Sequence, residues 1–400
     1  MIELLKPFTS ARAFVNAVSS WGAPLAVALA IYVICVFPSI QQTAVARAGA
    51  TALRHDGIRP WWLLIVILVV LTVGLSASSR WIYQVLEGIR WPSSIRVRRE
   101  KTHSLQWAVL DAERKVDEAE SRLDYADHEL AFWQERLDSI TEAQERVSAE
   151  SQITTCVAER DSAEQHVKQT RQALASTQAD RRSRPHAWLR RDRPPLSVLS
   201  SANAYPARSE WIRATRFGNR IRAFETDGVA RYQLDPLALW YELLVTAPTS
   251  LAANLQAARQ GVEMWVGTWS AAILLGAASV VTEILGATSS RGGGLITPVV
   301  IAFVGWIAAT VAYRAATAAT DEWGYAVNAL VNLGRGPLAR AYGLKIPASI
   351  AEEKLMWEAL RGYELYGTEP YANRLDEFRT QPDGTTTEAT SEESSDNAAG

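Results

Sequence analysis

Residues 61–78 read WWLLIVILVVLTVGLSAS and contain no charged side chain. A hydrocarbon core of about 30 Å is crossed by roughly 20 apolar residues in an α-helix. The helix is required because the lipid offers no hydrogen-bond partner to a free backbone amide or carbonyl. The two leading tryptophans suit the headgroup region, where amphipathic rings are enriched. This stretch is therefore predicted to be a transmembrane helix.

Three other runs, residues 23–40, 264–285 and 295–313, are also long, apolar and nearly free of charge. Together with 61–78 they predict an all-α integral membrane protein with four transmembrane helices arranged as two pairs. The first run is followed by polar sequence without a small-residue cleavage site, so we interpret it as an anchor. The second pair carries small residues at four-residue spacing, and these are Ala272, Gly276, Gly305 and Ala309. This spacing lets helix backbones approach closely.

The positions of Lys and Arg predict how the chain is oriented in the membrane. Lys6 and Arg12 precede the first run, and a dense basic group at 80–101 follows the second. The loop within each pair has fewer basic residues. Both ends and the central insert are therefore predicted to be cytoplasmic, at the inner face of the cell membrane. Six basic residues are candidates for contacts with lipid headgroups, namely Arg96, Arg98, Arg99, Lys101, Arg190 and Arg191.

The insert begins with a regular apolar repeat. Its positions are Leu105, Val109, Ala112, Val116, Ala119, Leu123, Ala126, Leu130, Trp133, Leu137 and Ile140. Alternating steps of four and three predict a coiled-coil seam. SAESQITT, at 148–155, predicts a bend or a stutter in the repeat, and a second helical stretch covers about 153–182. An antiparallel hairpin and a continuous stalk in an oligomer both fit this pattern.

Composition divides the chain into six parts. We predict an N-terminal transmembrane pair (1–80), a juxtamembrane and coiled-coil region (81–182), a basic linker with an amphipathic helical segment (183–262), a C-terminal transmembrane pair (263–318), a cytoplasmic helical segment (319–380) and a disordered acidic tail (381–400). The sequence GRGP at 334–337 is predicted to end a helix that continues from the last membrane span. The tail is too polar to bury a core.

One segment resembles a known pattern. TRFGN (215–219), IRAFE (221–225), RYQLD (231–235) and LWYEL (239–243) are similar to an element of uncharacterised bacterial multi-pass membrane proteins, which reads roughly TRLGN, an Arg-Ala-x-Glu helix, RYGLD and LWPRL. The resemblance covers about 203–360 and implies a coiled-coil-like region before the element and a membrane pair after it. This chain departs at Gln233, where the pattern has Gly, and at Tyr241-Glu242, where it has Pro-Arg. No chemistry follows from the resemblance.

The motifs of common enzyme classes are missing. The sequence contains no GxxxxGK[ST], GxGxxG, HExxH or paired CxxC, so we predict no enzyme activity, no cofactor and no metal. A formal net charge of -2 also argues against a nucleic-acid partner. Candidates for a polar network near the inner leaflet are Arg216, Asn219, Glu225, Arg231 and Asp235.

The leading hypothesis is a non-catalytic, membrane-anchored coiled-coil scaffold. Its predicted partners are the lipid bilayer and either further copies of itself, in a homo-oligomer, or a cytoplasmic protein. An oligomeric channel or membrane-permeabilising effector is the first alternative, because small and hydroxyl residues in the second pair permit a pore. A regulator that senses lipid or envelope state is the second.

Overall fold

The computed structural model describes residues 18–36, 60–183, 204–287, 296–367 and 369–379. Within these ranges the chain is helical, with one isolated bridge between Leu344 and Arg379. The predicted all-α class is therefore confirmed. Two compact units are present: Met1–Asp227 with Ala253–Val327, and Gly228–Ala252 with Asn328–Gly400. The predicted acidic tail and the candidate lipid contacts Arg190 and Arg191 lie outside the described residues.

Eleven α-helices occupy the described part of the chain. Those before residue 184 are α1 (Ala23–Ile31), α2 (Pro60–Ala77), α3 (Ser79–Leu86), α4 (Ser93–Ser139) and α5 (Ala143–Ser183). Those after residue 203 are α6 (Arg216–Tyr232), α7 (Trp240–Thr246), α8 (Thr249–Ala287), α9 (Ile296–Ala341), α10 (Ile350–Tyr366) and α11 (Glu369–Asp376). Two π-helical turns, Val18–Gly22 and Tyr32–Val36, extend α1 at its two ends.

Three helical stretches are long and apolar enough to cross a membrane: Val18–Cys35, Thr249–Thr282 and Val299–Ala341. They include most of the predicted spans 23–40, 264–285 and 295–313. The predicted span 61–78 becomes part of a bent pair, Leu64–Ala77 with Ser79–Leu86, whose axes differ by 59°. The two helices of this pair add a fourth span only if they are taken together as one span. The apolar composition predicted these helices, but it did not predict the break at Ser78.

The small residues predicted to pack helices lie at a close crossing of α8 and α9. A Cβ on Gly305 would lie 3.1 Å from the Ala272 carbonyl oxygen and 3.4 Å from the Gly276 nitrogen. Ala309 is 3 % exposed. Further along α8, the Tyr32 hydroxyl and Thr282 Oγ1 are 3.0 Å apart, which joins this helix to the α1 region. Small side chains therefore set the backbone separation here.

The insert forms an antiparallel helical hairpin. Helix α4 has 47 residues and α5 has 41. Their buried residues face one another, and these are Val109, Val116, Ala119 and Ala126 of α4 and Ala149, Cys156 and Val167 of α5. Arg160 Nε lies 2.7 Å from Asp127 Oδ1, and an Arg171 nitrogen lies 2.8 Å from Glu120 Oε1. These pairs place later residues of α5 beside earlier residues of α4, as an antiparallel arrangement requires.

The break between the two arms differs from the prediction. It falls at residues 140–142, where Ile140 adopts an extended conformation (ψ 126°). The stretch 148–155 lies inside α5 and carries no bend. The predicted bend was wrong because the polar residues of SAESQITT sit on the exposed side of the helix, while Ala149 is buried in the seam. The hairpin, and not the continuous stalk, is the arrangement of this chain.

The second unit is built around a buried ion pair. One Arg335 guanidinium nitrogen lies 2.9 and 2.8 Å from the two carboxylate oxygens of Glu353, which is 3 % exposed. The Trp357 indole donates a hydrogen bond of 3.0 Å to the same carboxylate. The Arg335 guanidinium lies 4.4 Å from the centre of the Tyr232 ring. Removing one partner would leave the other buried and unpaired, so these groups hold α9 and α10 together.

Helix α9 continues through the sequence that was predicted to end it. GRGP, at 334–337, lies within the helix, which reaches Ala341 with Pro337 inside. The loss of one backbone hydrogen bond at Pro337 is offset by packing, since Leu338 and Ala339 are fully buried. Glycine and proline mark a helix end in water, and here the buried side chains override them.

Gln233 has a left-handed backbone conformation (φ 62°) directly after α6. Its amide still donates to the Val229 carbonyl, at 3.0 Å. Such a residue ends a helix as a C′ cap, a position at which glycine is preferred. The pattern that this segment resembles has glycine at this position. Asp235 then caps the following turn through hydrogen bonds from the amides of Leu237 and Ala238, at 3.0 and 3.3 Å.

We predict that Gln233→Gly raises the free energy of unfolding by up to about 1 kcal/mol, because glycine adopts positive φ without steric cost. Gln233→Val should lower it by about 1–3 kcal/mol, since a β-branched residue is strained there. Asn tolerates this conformation, so Gln233→Asn is the matched control. Thermal unfolding of the detergent-solubilised protein by circular dichroism measures the order. A valine variant as stable as the glycine variant would contradict the assignment.

Candidate functional site

Residues 213–219 form a compact turn that leads into α6, and we call them the 213–219 junction. Thr215 Oγ1 donates to the Leu86 carbonyl at 2.7 Å and accepts from the Gly218 amide at 3.0 Å. Thr215 therefore caps the start of α6 and binds the last turn of α3 with the same hydroxyl. The chain that follows the hairpin is thus attached to the helix that precedes it.

Asn219 holds the junction in its turn. Its Oδ1 accepts from the Arg213 amide at 2.7 Å, and its Nδ2 donates to the carbonyls of Arg213 and Thr215 at 3.0 and 2.8 Å. The side chain is 0 % exposed. Two of these bonds satisfy the amide and the carbonyl of Arg213, and the third adds to the bond that the Thr215 carbonyl accepts from the Asn219 amide, at 3.0 Å. The role is structural and local.

Two glycines allow the junction to approach α3 closely. A Cβ on Gly218 would lie 2.6 Å from the Glu87 carbonyl oxygen. Gly88 has φ +80°, and a Cβ there would lie 2.8 Å from the Ala214 Cβ. Any larger residue at either position would push the two segments apart. The glycine of the TRFGN sequence is therefore explained by backbone contact.

Aromatic and charged contacts attach α6 to α3 and α9 in the first unit. Phe217 is fully buried, and its ring lies 5.8 Å from that of Tyr83. Arg220 pairs with Asp321 at 2.8 Å and also donates to the Thr317 carbonyl. The rings of Phe224 and Trp323 are 4.9 Å apart. The face of α6 that carries Phe217, Arg220 and Phe224 is therefore packed against other helices of the first unit.

Glu87 is a titratable group whose pKa the surroundings of the junction change. Burial, together with the nearby carboxylate of Glu225, raises its pKa to about 7 from the usual 4.5, and Arg213 and Arg222 oppose the rise. Arg222 is held 3.2 Å from Glu225. The Nε atoms of Arg213 and Arg222 are buried without an acceptor among the described residues. The sequence did not indicate Glu87 as a site residue, because no neighbouring residue in the sequence marks it as buried.

The base of the hairpin is attached to the segment that precedes the junction. Tyr205 contacts two residues of α4, with its hydroxyl 3.0 Å from His103 Nδ1 and 2.6 Å from Gln106 Oε1. The Trp107 indole donates to the Pro206 carbonyl at 2.9 Å. His103 is buried, with 6 % exposure. Sequence reasoning missed this attachment, since the partners lie about a hundred residues apart.

Three of the five candidates for a polar network have separate local contacts. Asn219 caps the junction, Glu225 pairs with Arg222, and Asp235 caps a turn. Arg216 and Arg231 are exposed on α6. The first unit holds Arg216, Asn219 and Glu225, and the second holds Arg231 and Asp235. A single network of all five therefore remains a prediction.

The described candidates for lipid contact lie in the first turns of α4. Arg98, Arg99 and Lys101 are exposed, and Arg96 is half-buried with a bond to the Ile89 carbonyl at 3.2 Å. Exposed apolar side chains accompany them, because Ile95 is 47 % and Val97 57 % exposed. Basic and apolar groups side by side are typical of a surface that meets lipid headgroups.

The described residues contain no group of three or more His, Cys, Asp or Glu that could hold a metal ion. Cys156 lies in the hairpin seam, where burial and the carboxylates of Glu129 and Glu159 raise the pKa of its thiol. A thiol of this kind serves as a small apolar residue.

Comparisons with protein-family profiles, curated proteins and solved structures give no match to this chain.

We predict that Asn219→Ala lowers the free energy of unfolding by about 3 kcal/mol, because it removes three side-chain bonds and leaves the backbone amide and carbonyl of Arg213 without the side chain that pairs them. Asn332→Ala is the matched control, since Asn332 accepts one part-buried bond from Tyr232, at 3.1 Å. That loss should be about 1 kcal/mol. Thermal unfolding in detergent measures both. Equal losses would show that the three bonds of Asn219 do not stabilise the junction.

Glu87 should make stability depend on pH. With a folded pKa of about 7 against 4.5, the folded state keeps a proton that the unfolded state releases. Stability is therefore greatest below pH 4.5 and falls by up to about 1.4 kcal/mol per pH unit until pH 7. Glu87→Gln should remove this slope and be the more stable protein above pH 7. Unfolding midpoints at pH 5–8 test this, and parallel slopes for the two proteins would refute it.

Proposed function

We propose that this chain is a non-catalytic scaffold anchored in the cell membrane, which assembles with itself or a cytoplasmic partner through the α4–α5 hairpin. In this proposal the chain has two transmembrane pairs, with the bent α2–α3 as one span, and the hairpin and both ends are cytoplasmic. The basic residues at 80–101 favour that orientation. Lipid is therefore one partner, and the hairpin is the surface that meets the others.

The attachment at the base of the hairpin carries this proposal. The contacts of His103 and Trp107 with Tyr205 and Pro206 hold α4 at residues 103–107, and the rest of both arms extends beyond them. At 1.5 Å per residue, arms of 47 and 41 residues are roughly 70 and 60 Å long. A long arm held at one end positions a binding surface away from the bilayer. This arrangement suits assembly better than catalysis.

A pore is the first alternative. Hydroxyl groups in the second pair supported it, but Ser270, Thr282 and Thr310 each donate to a carbonyl one turn earlier in their own helix, at 2.7–2.9 Å. Their hydrogens are thus engaged within the helices. Sensing of anionic lipid is the second alternative, favoured by the exposed Arg98, Arg99 and Lys101 beside Ile95 and Val97.

A shortened hairpin tests the scaffold. Residues 124–166 are replaced by a short glycine-rich turn, which keeps the base contacts and the pair Glu120–Arg171. The full chain in detergent should form an oligomer or retain a protein partner, and the shortened chain should do neither. Light scattering after size-exclusion chromatography and pull-down from lysate measure this. Identical mass and identical partners for both chains would refute the proposal.

A further inference from the structure

Helix α4 carries a second stripe outside its seam. Residues 118, 122, 125, 129, 132 and 136 alternate by four and three, so they share one face of the helix. We call this the outer stripe: Glu118, Arg122, Tyr125, Glu129, Phe132 and Arg136. Its two aromatic residues are open to solvent, with Tyr125 71 % and Phe132 54 % exposed. Large aromatic side chains at such exposure on a charged helix point to a surface that is covered in an assembly.

The charges of the outer stripe are available for a partner. Glu118, Arg122 and Glu129 form no ion pair or hydrogen bond with the described residues, and Glu118 and Arg122 are exposed. Arg136 contacts the ring of Trp133, with its guanidinium carbon 5.5 Å from the ring centre. By contrast, Asp127 and Glu120, on the side that faces α5, are both paired. Glu118, Arg122 and Glu129 are therefore charges of the outer stripe without an ion pair among the described residues.

We propose that the outer stripe binds the outer stripe of a second copy, with the two α4 helices antiparallel. The spacing of the stripe reads the same in both directions about residue 127, so a two-fold axis there pairs 118 with 136, 122 with 132, and 125 with 129. This register places Glu118 against Arg136, Arg122 against the ring of Phe132, and the hydroxyl of Tyr125 against Glu129. Each contact is complementary: an ion pair, a cation–π contact and a charge-assisted hydrogen bond. The inference rests on the proposed function, for which it names the surface and the partner.

The charges also favour the antiparallel over the parallel orientation of the two α4 helices. In a parallel pair every position of the stripe faces its own copy. Four of the six positions would then bring like charges together, at 118, 122, 129 and 136. Like charges across an interface disfavour the pairing. The antiparallel register has none among these contacts.

A charge swap in the full chain tests the pairing. Glu118→Arg should weaken self-association at least about tenfold, because two like-charge contacts form per pair of copies. Arg136→Glu should do the same. The double variant Glu118→Arg with Arg136→Glu should restore the association to within about threefold, since the ion pairs reform with reversed signs. Light scattering over a range of concentrations in detergent measures the dissociation constants. Arg146→Glu, at an exposed position of α5 off the stripe, is the control and should change nothing.

Each remaining outcome has a defined meaning. A double variant as weak as the single variants overturns the antiparallel register. Single variants that associate like the unmodified chain, while the shortened hairpin does not associate, overturn the outer stripe and leave the proposed scaffold intact. A monomeric full chain that retains a cytoplasmic protein through the hairpin also overturns self-pairing. A monomeric full chain without any partner overturns both proposals.

Discussion

The backbone contact between Gly218 and Glu87 is the constraint on which the first unit depends. The chain leaves the apolar N-terminal helices at α3, forms the hairpin, and must return to the same place to begin α6. Only glycine at 218 and at 88 lets the returning segment approach closely enough for Thr215 to bond the Leu86 carbonyl. This contact closes the base of the hairpin. The burial of Glu87 follows from it, because the same approach excludes water from that carboxyl group.

Much of the fold follows from apolar periodicity, and the departures have physical reasons. Long uncharged runs predicted the membrane helices, and steps of four and three predicted the seam from Val109 to Ala126. The ends of helices were less predictable, because Pro337 and the polar stretch 148–155 lie inside helices whose buried residues favour continuation. The break at residues 140–142 carries no glycine or proline, so no local signal marked it.

The candidate site was harder to predict than the fold. Asn219 was singled out through a resemblance, and it proves to be a cap with three bonds to backbone. Gln233 departs from the glycine of that pattern yet keeps the left-handed conformation that glycine would favour. Glu87 and the attachment of Tyr205 to His103 escaped notice, since both depend on contacts between segments distant in the sequence. Charge and hydropathy along one helix carry no information about such contacts.

The distribution of side-chain size in the hairpin argues that its outer surface has a use. Small residues take four of the buried seam positions, Ala119, Ala126, Ala149 and Cys156, beside the valines at 109, 116 and 167. Each of these four buries little apolar area, so the hairpin obtains only modest stability from its own packing. Tyr125 and Phe132, which could bury far more, lie outside the seam. A hairpin selected for its own stability alone would place the large residues inside. Their exposed position is explained if part of the stabilisation of the hairpin comes from a second surface that covers them.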